Sequence, residues 1–199
     1  MTRFPLAAVL TLLATPLSAE GTILVAPVYS QLVAVATPPG FTAGYEAETA
    51  GSYILELVPA GETVATWTQM ITVTGGKGAA ARVSVIDAAT SIGQGYQTAC
   101  PDSFSARSLP GPMIKGAVEA FSGYLACGTA NGQSEQMVFI VVKGREDIYT
   151  VQWAERGPPQ PGPIVPDAAR WKPRSDALAL TRICDRIGGE AAPYPSCTE

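Results

Sequence analysis

The chain reads as an α+β protein: a single antiparallel β-sheet of about five to seven strands with helices packed on it. Three observations predict this. Short β-branched and aromatic runs recur along the chain, one stretch carries helical periodicity, and strands and helices do not alternate one for one. The last point argues against a doubly wound nucleotide-binding fold. At 199 residues the chain is long enough for one domain with a real core.

Residues 1–19 read as a signal peptide. Arg3 supplies a positive start, Leu6 to Leu13 an apolar run, and Ala19 the small residue at the cleavage point. The run is well short of the roughly 20 residues of a membrane span. No cysteine follows it, so a lipoprotein anchor is not expected. The mature chain is expected to be periplasmic or secreted, with no membrane span.

Pro27 interrupts the apolar stretch 22–36 and places the first strand at Gln31 to Ala36. Thr37-Pro38-Pro39-Gly40 forces a turn, and Phe41 to Glu48 and Ser52 to Val58 follow as strands. In the second of these, Tyr53, Leu55 and Leu57 share one face, and Ile54, Glu56 and Val58 the other. Gly61 to Thr66 suits one helical turn, with Glu62 near its N-terminal dipole. Trp67 to Thr74 is strand-like and puts Trp67 on the face of Ile71 and Val73, as a core anchor. Gly75 to Gly78 is a loop.

Val85, Ala89, Ile92 and Tyr96 recur at helical spacing within 79–99, and Cys100-Pro101 ends that helix. Residues 104–156 read as a meander of four strands: Phe104–Leu109, Ala117–Cys127, Glu135–Lys143 and Ile148–Glu155. Val138 to Val142 is apolar on both faces and should be central. Gly144 to Asp147 closes the clearest hairpin, and its charges should face water. The core domain thus spans 20–156. Proline and glycine make 157–174 an extended connector with little room for helix. Ser175 then caps a C-terminal helix ending at Ile187, lined by Leu180, Ile183, Cys184 and Ile187, and 175–199 packs on the core.

The four cysteines, Cys100, Cys127, Cys184 and Cys197, allow three pairings in an exported chain. Pairing of sequence neighbours, Cys100–Cys127 and Cys184–Cys197, closes short loops and is the favoured arrangement. Zinc would require C-x-x-C or histidine, and the chain has neither.

The formal net charge is −4, and loss of Arg3 with residues 1–19 makes it −5. An acidic chain is a poor partner for nucleic acid. The local cluster Arg170, Lys172 and Arg174 reads as part of a solvated linker. Without histidine, Ser-His-Asp and Cys-His catalysis and most transition-metal sites are excluded. Thr74 to Gly78 (TGGKG) lacks the spacing of a phosphate loop. No catalytic residue, metal or cofactor is assigned.

Carboxylates remain the acid–base groups. Glu46 and Glu48 with Glu56 one strand later form a pair across strands in one reading, and a solvated sheet face in the other. Glu119 and Glu155 read as solvated. Trp67, Trp153, Tyr149, Tyr53 and Tyr124 line either the core or a ligand pocket. Glu56, Glu62 and Trp67 are the candidate ligand-facing residues.

Three motifs occur together: Glu56-x-x-Pro59-x-Gly61-Glu62-x-x-x-x-Trp67-x-x-Met70-x-Thr72, the Cys100-Pro101 and Cys127 pair, and Lys143-Gly144-x-x-x-x-Tyr149-x-x-Gln152. The combination resembles a group of small exported proteins of Gram-negative bacteria without an assigned activity. The order of elements is more distantly similar to the Mog1/PsbP-like α/β fold, a sheet sandwiched by helices. That resemblance implies binding or assembly and supplies no catalytic residue. The expected function is an exported, non-enzymatic binding or accessory module, for a protein partner or a small ligand. The alternatives are a carboxylate-dependent hydrolase of sugar or cell-wall substrates and a small-ligand carrier.

Overall fold

The structure, a computed structural model, describes residues 21–198. The expected signal peptide and its cleavage point near Ala19 lie outside the described residues. The fold combines strands and helices as expected, but the strands form two antiparallel sheets, not one. A three-stranded sheet has the order β1-β2-β10, from β1 (Thr22–Val28), β2 (Gln31–Thr37) and β10 (Arg182–Asp185). The seven-stranded sheet has the order β3-β4-β5-β9-β8-β7-β6. Its members are β3 (Phe41–Glu48), β4 (Ser52–Pro59), β5 (Gln69–Gly76), β6 (Phe104–Leu109), β7 (Glu119–Ala130), β8 (Gln133–Lys143) and β9 (Ile148–Gly157).

Two expectations fail in the small sheet. Pro27 does not end a strand but sits inside β1, opposite Leu32. β1 pairs only with β2, so a residue without an N–H is tolerated on its open side. Residues 182–185 were expected to be helical, yet they pair with the far side of β2, Ile183 opposite Val33 and Cys184 opposite Leu32. Their apolar residues suit either period over so short a run.

The meander matches its expected order, with longer hairpin arms. Asn131 and Gly132 have φ of 51° and 79°, which lets β7 and β8 turn tightly and extends their pairing to Ala130 and Gln133. β8 lies between β7 and β9, and Val138 to Val142 are buried, as the apolar run requires.

Each face of the large sheet carries its own core. Leu55, Leu57, Ile71, Val73, Tyr124, Ile140 and Trp153 face the small sheet, which contributes Val28, Val33, Val35 and Ile183. A Cβ on Gly75 would lie 2.4 Å from Val28 Cγ1, so glycine at that position lets β1 approach β5. The opposite face carries Val58, Met70, Leu125, Met137 and Phe139 beneath α1 (Val85–Ala99). Ser84 and Asp87 form a capping box at the start of α1. The predicted stripe holds: Val85 and Ala89 are buried, and Ile92 and Tyr96 pack against that core. The Cys100–Cys127 disulfide fastens the end of α1 to β7.

The C-terminal region departs most from expectation. A helix, α2 (Ala168–Ala179), forms inside the segment read as an extended connector, with Pro173 within it. Its cap is Asp167, which accepts from the Ala169 and Arg170 N–H groups, not Ser175. Trp171 and Leu178, two turns apart, bury the helix against the large sheet. Arg170 and Arg174 reach the buried Glu155 of β9, so Glu155 is not on a solvated surface and Arg174 is half-buried, while Arg170 and Lys172 stay exposed. Tertiary burial and this ion pairing outweigh the local proline signal. Leu180 and Ile187, expected on a buried helix face, are 61% and 56% exposed. The Cys184–Cys197 disulfide holds α3 (Pro195–Thr198) over Leu32 of β2. Both disulfides therefore follow the favoured pairing. Among the described residues no helix is long and apolar enough to cross a membrane. The two disulfides are compatible with an extracytoplasmic chain.

The hairpin turn 144–147 does not simply face water. Asp147 is buried and accepts from Ser30 N–H at 3.1 Å, Gly78 N–H at 2.7 Å, the Ser30 hydroxyl and the Tyr149 hydroxyl. It thereby ties the β1–β2, β5–α1 and β8–β9 loops together. Burial alone would raise this carboxyl, but these hydrogen bonds outweigh it and hold it below the usual carboxylate range. Beside it, Gln31 Oε1 accepts the Arg145 N–H at 3.1 Å.

Candidate functional site

The residues singled out between β4 and β5 have structural partners. The Glu62 carboxylate accepts from Thr68 N–H at 2.6 Å and from its hydroxyl at 2.7 Å, which closes the turn before β5. Trp67 is buried, but it belongs to the α1-side core with Val58 and Met70, not to the face of Ile71 and Val73. It precedes the first paired residue of β5, so strand alternation does not reach it. The Arg156 guanidinium stacks over the Trp67 ring at 3.9 Å and donates to Glu135, which also accepts the Tyr96 hydroxyl at 2.6 Å. That chain of contacts joins the β4–β5 turn, β8 and α1.

The expected carboxylate pair across strands does not form. Glu46 pairs with Leu55 and Glu48 with Tyr53, which places both on the small-sheet side. Glu56 pairs with Tyr45 and Thr72 and lies on the α1 side. A register shift between Ala43 and Tyr45 sets this phase. Glu46 accepts the Tyr53 hydroxyl at 2.8 Å. Burial raises the Glu56 carboxyl above its ordinary value.

Two cavities flank a different element, the edge strand β6. The first, of about 530 Å³, lies between the large sheet and α2. Leu109, Pro110, Tyr124, Ile140, Trp171 and Leu178 form its apolar wall, and Arg107 and Lys172 stand among its polar residues. α2 and Pro166 close it on one side, and β6, β7, β8 and the β6–β7 loop on the other. Lys172 is paired with Asp176 on the same helix at 2.7 Å. The Tyr124 hydroxyl donates to Gln136 at 2.9 Å, and burial pushes its pKa up to about 12, so it stays a neutral donor. The second cavity, about 490 Å³, lies on the other face between α1 and the same strands. Ala89, Gly93, Phe121, Leu125 and Phe139 line it. Arg107 and Ser108 border both cavities.

This arrangement can take up an apolar group. Walls of this kind desolvate apolar groups, and the volume lies within the range of ligand pockets. Among the described residues no group of three or more His, Cys, Asp or Glu side chains could hold a metal ion. Tyr124 alone of the aromatics named from the sequence lines this site. Leu109 and Trp171 were legible as apolar residues, but their meeting depends on α2, whose proline-rich sequence hides it. No protein-family model matches the chain, and no curated protein matches it significantly.

Proposed function

We propose that this chain is an exported, non-enzymatic binding module that takes an apolar group into the cavity beneath α2. The observation that carries this reading is the apolar cavity of about 530 Å³ with Arg107 at its border. The signal-peptide sequence, the two disulfides and the resemblance to small exported proteins support export to the periplasm or beyond. The hydrolase reading needs two acids converging in a cleft, whereas Glu56 lies across the sheet from Glu46 and Glu48, which are exposed on an edge strand and line neither cavity.

Titration with the apolar anionic dye 1-anilinonaphthalene-8-sulfonate tests the proposal, with energy transfer from Trp171 as the readout. The native protein should bind the dye saturably. Ser175→Phe, which places a ring in the cavity wall, should weaken it at least tenfold. Equal binding by this variant with an unchanged fold would remove the cavity from the function.

A further inference from the structure

Sheet edges expose unpaired backbone groups, and proteins ordinarily blunt them. Three of the four edges here are blunted. β1 carries Pro27. β3 carries a register shift and the exposed Glu46 and Glu48. β10 is covered by the segment at Lys115, whose carbonyl accepts the Ile183 N–H at 2.9 Å. β6 ends the large sheet with no proline and no register shift, and among the described residues its backbone pairs with β7 alone, the connector reaching it only at the Ser105 side chain, which donates to the Ile164 carbonyl at 2.7 Å.

The phase of β6 follows from one hydrogen bond. Gly128 N–H donates to the Ser103 carbonyl, so positions 103 and 128 form a hydrogen-bonded pair. Pairing of Phe104 with Cys127 carries the alternation forward. Ser105, Arg107 and Leu109 therefore exchange bonds with β7. Phe104, Ala106 and Ser108 direct their N–H and C=O groups away from the sheet.

We propose that the partner of this site is an extended polypeptide segment that adds to β6 as a further strand of the large sheet. The inference rests on the binding-module reading above and names its partner. Side chains of an added strand alternate between the two faces of the sheet. Here each face beside β6 has its own cavity, one under α2 and one beside α1. A single apolar ligand would use one cavity; a strand uses both and satisfies the open backbone. The exposed Arg107, which forms no ion pair among the described residues, selects a segment with an acidic residue beside it.

The test is selection of linear peptides from a random displayed library against the mature, disulfide-bonded protein. Synthetic copies of the selected peptides are then examined by amide hydrogen exchange. Expected are acidic peptides with alternating apolar residues that protect the Ala106 and Ser108 amides and displace the naphthalene dye. Ala106→Pro removes one outward N–H and should cost at least tenfold in peptide affinity, about 1.4 kcal/mol, while dye binding persists. Arg107→Glu should weaken the acidic peptides by a similar factor, with the urea midpoint unchanged. Peptides that leave both amides unprotected, or bind Ala106→Pro equally well, overturn the strand. Recovery of no peptide while the dye binds also overturns it and leaves the cavity reading standing. Loss of dye binding in the native protein removes both. Concentration-dependent protection of β6 without peptide overturns the proposal in favour of pairing between two copies.

Discussion

The loop end of the large sheet and its β6 edge treat polar groups in opposite ways. At the loop end, Asp147 is buried among four donors from three segments, and Gln31 accepts the Arg145 N–H of the same turn. At β6, backbone groups of Phe104, Ala106 and Ser108 point outward beside two cavities. Buried polar groups are costly unless paired, so the first region is complete in itself. The second is complete only with solvent or a partner.

The largest expected effect breaks the closed region. Asp147→Ala leaves buried donors without an acceptor and should cost about 4 kcal/mol in urea denaturation. Because this carboxyl lies below its ordinary range, its contribution is present above the unfolded value near 4 and is lost as pH falls through the folded value. The stability gap between the native protein and Asp147→Asn should therefore close in acid. An unchanged gap there would remove the ionised hub.

Replacing Cys100 and Cys127 by alanine should cost about 3.5 kcal/mol, since the bridge spans 27 positions. Trp67→Ala should cost about 3 kcal/mol, because the ring is buried and stacked by Arg156. A loss under about 1 kcal/mol would place Trp67 at a surface instead.

Proline substitutions sharpen the contrast along one strand. Arg107→Pro deletes a bond to β7 and leaves a β7 carbonyl unpaired, which should cost about 2 kcal/mol. Ala106→Pro deletes an outward N–H and should cost less than about 1 kcal/mol. Equal losses at the two positions would contradict the deduced phase. The smallest effect belongs to Glu56→Gln. Burial disfavours the ionised carboxylate, so the neutral amide should give a slight gain at neutral pH, measured by the urea midpoint.

The sequence made the meander legible because each arm alternates, and Gly144 to Asp147 marks its turn. The α1 stripe was legible because its spacing repeats over three turns. Sequence neighbours did become disulfide partners. The second sheet was hidden by Pro27, which is harmless only on an edge, a fact that pairing alone reveals. The C-terminal helix was hidden by Pro173, while its stability comes from Glu155, Trp171 and Leu178. Those contacts are tertiary and leave no local period. Glu56, Glu62 and Trp67 were conspicuous by residue type, yet two of them hold a turn together. The β6 site has a plain sequence, FSARSL, and its character comes from what packs on either side of it.

Residue-resolved amide exchange on the free mature protein tests the contrast most directly. Ala106 and Ser108 should exchange near open-chain rates, while Arg107 in the same strand and Ser30 and Gly78 at the Asp147 hub should exchange slowly. Protection of Ala106 and Ser108 equal to that of Arg107 would contradict an open, partner-ready edge.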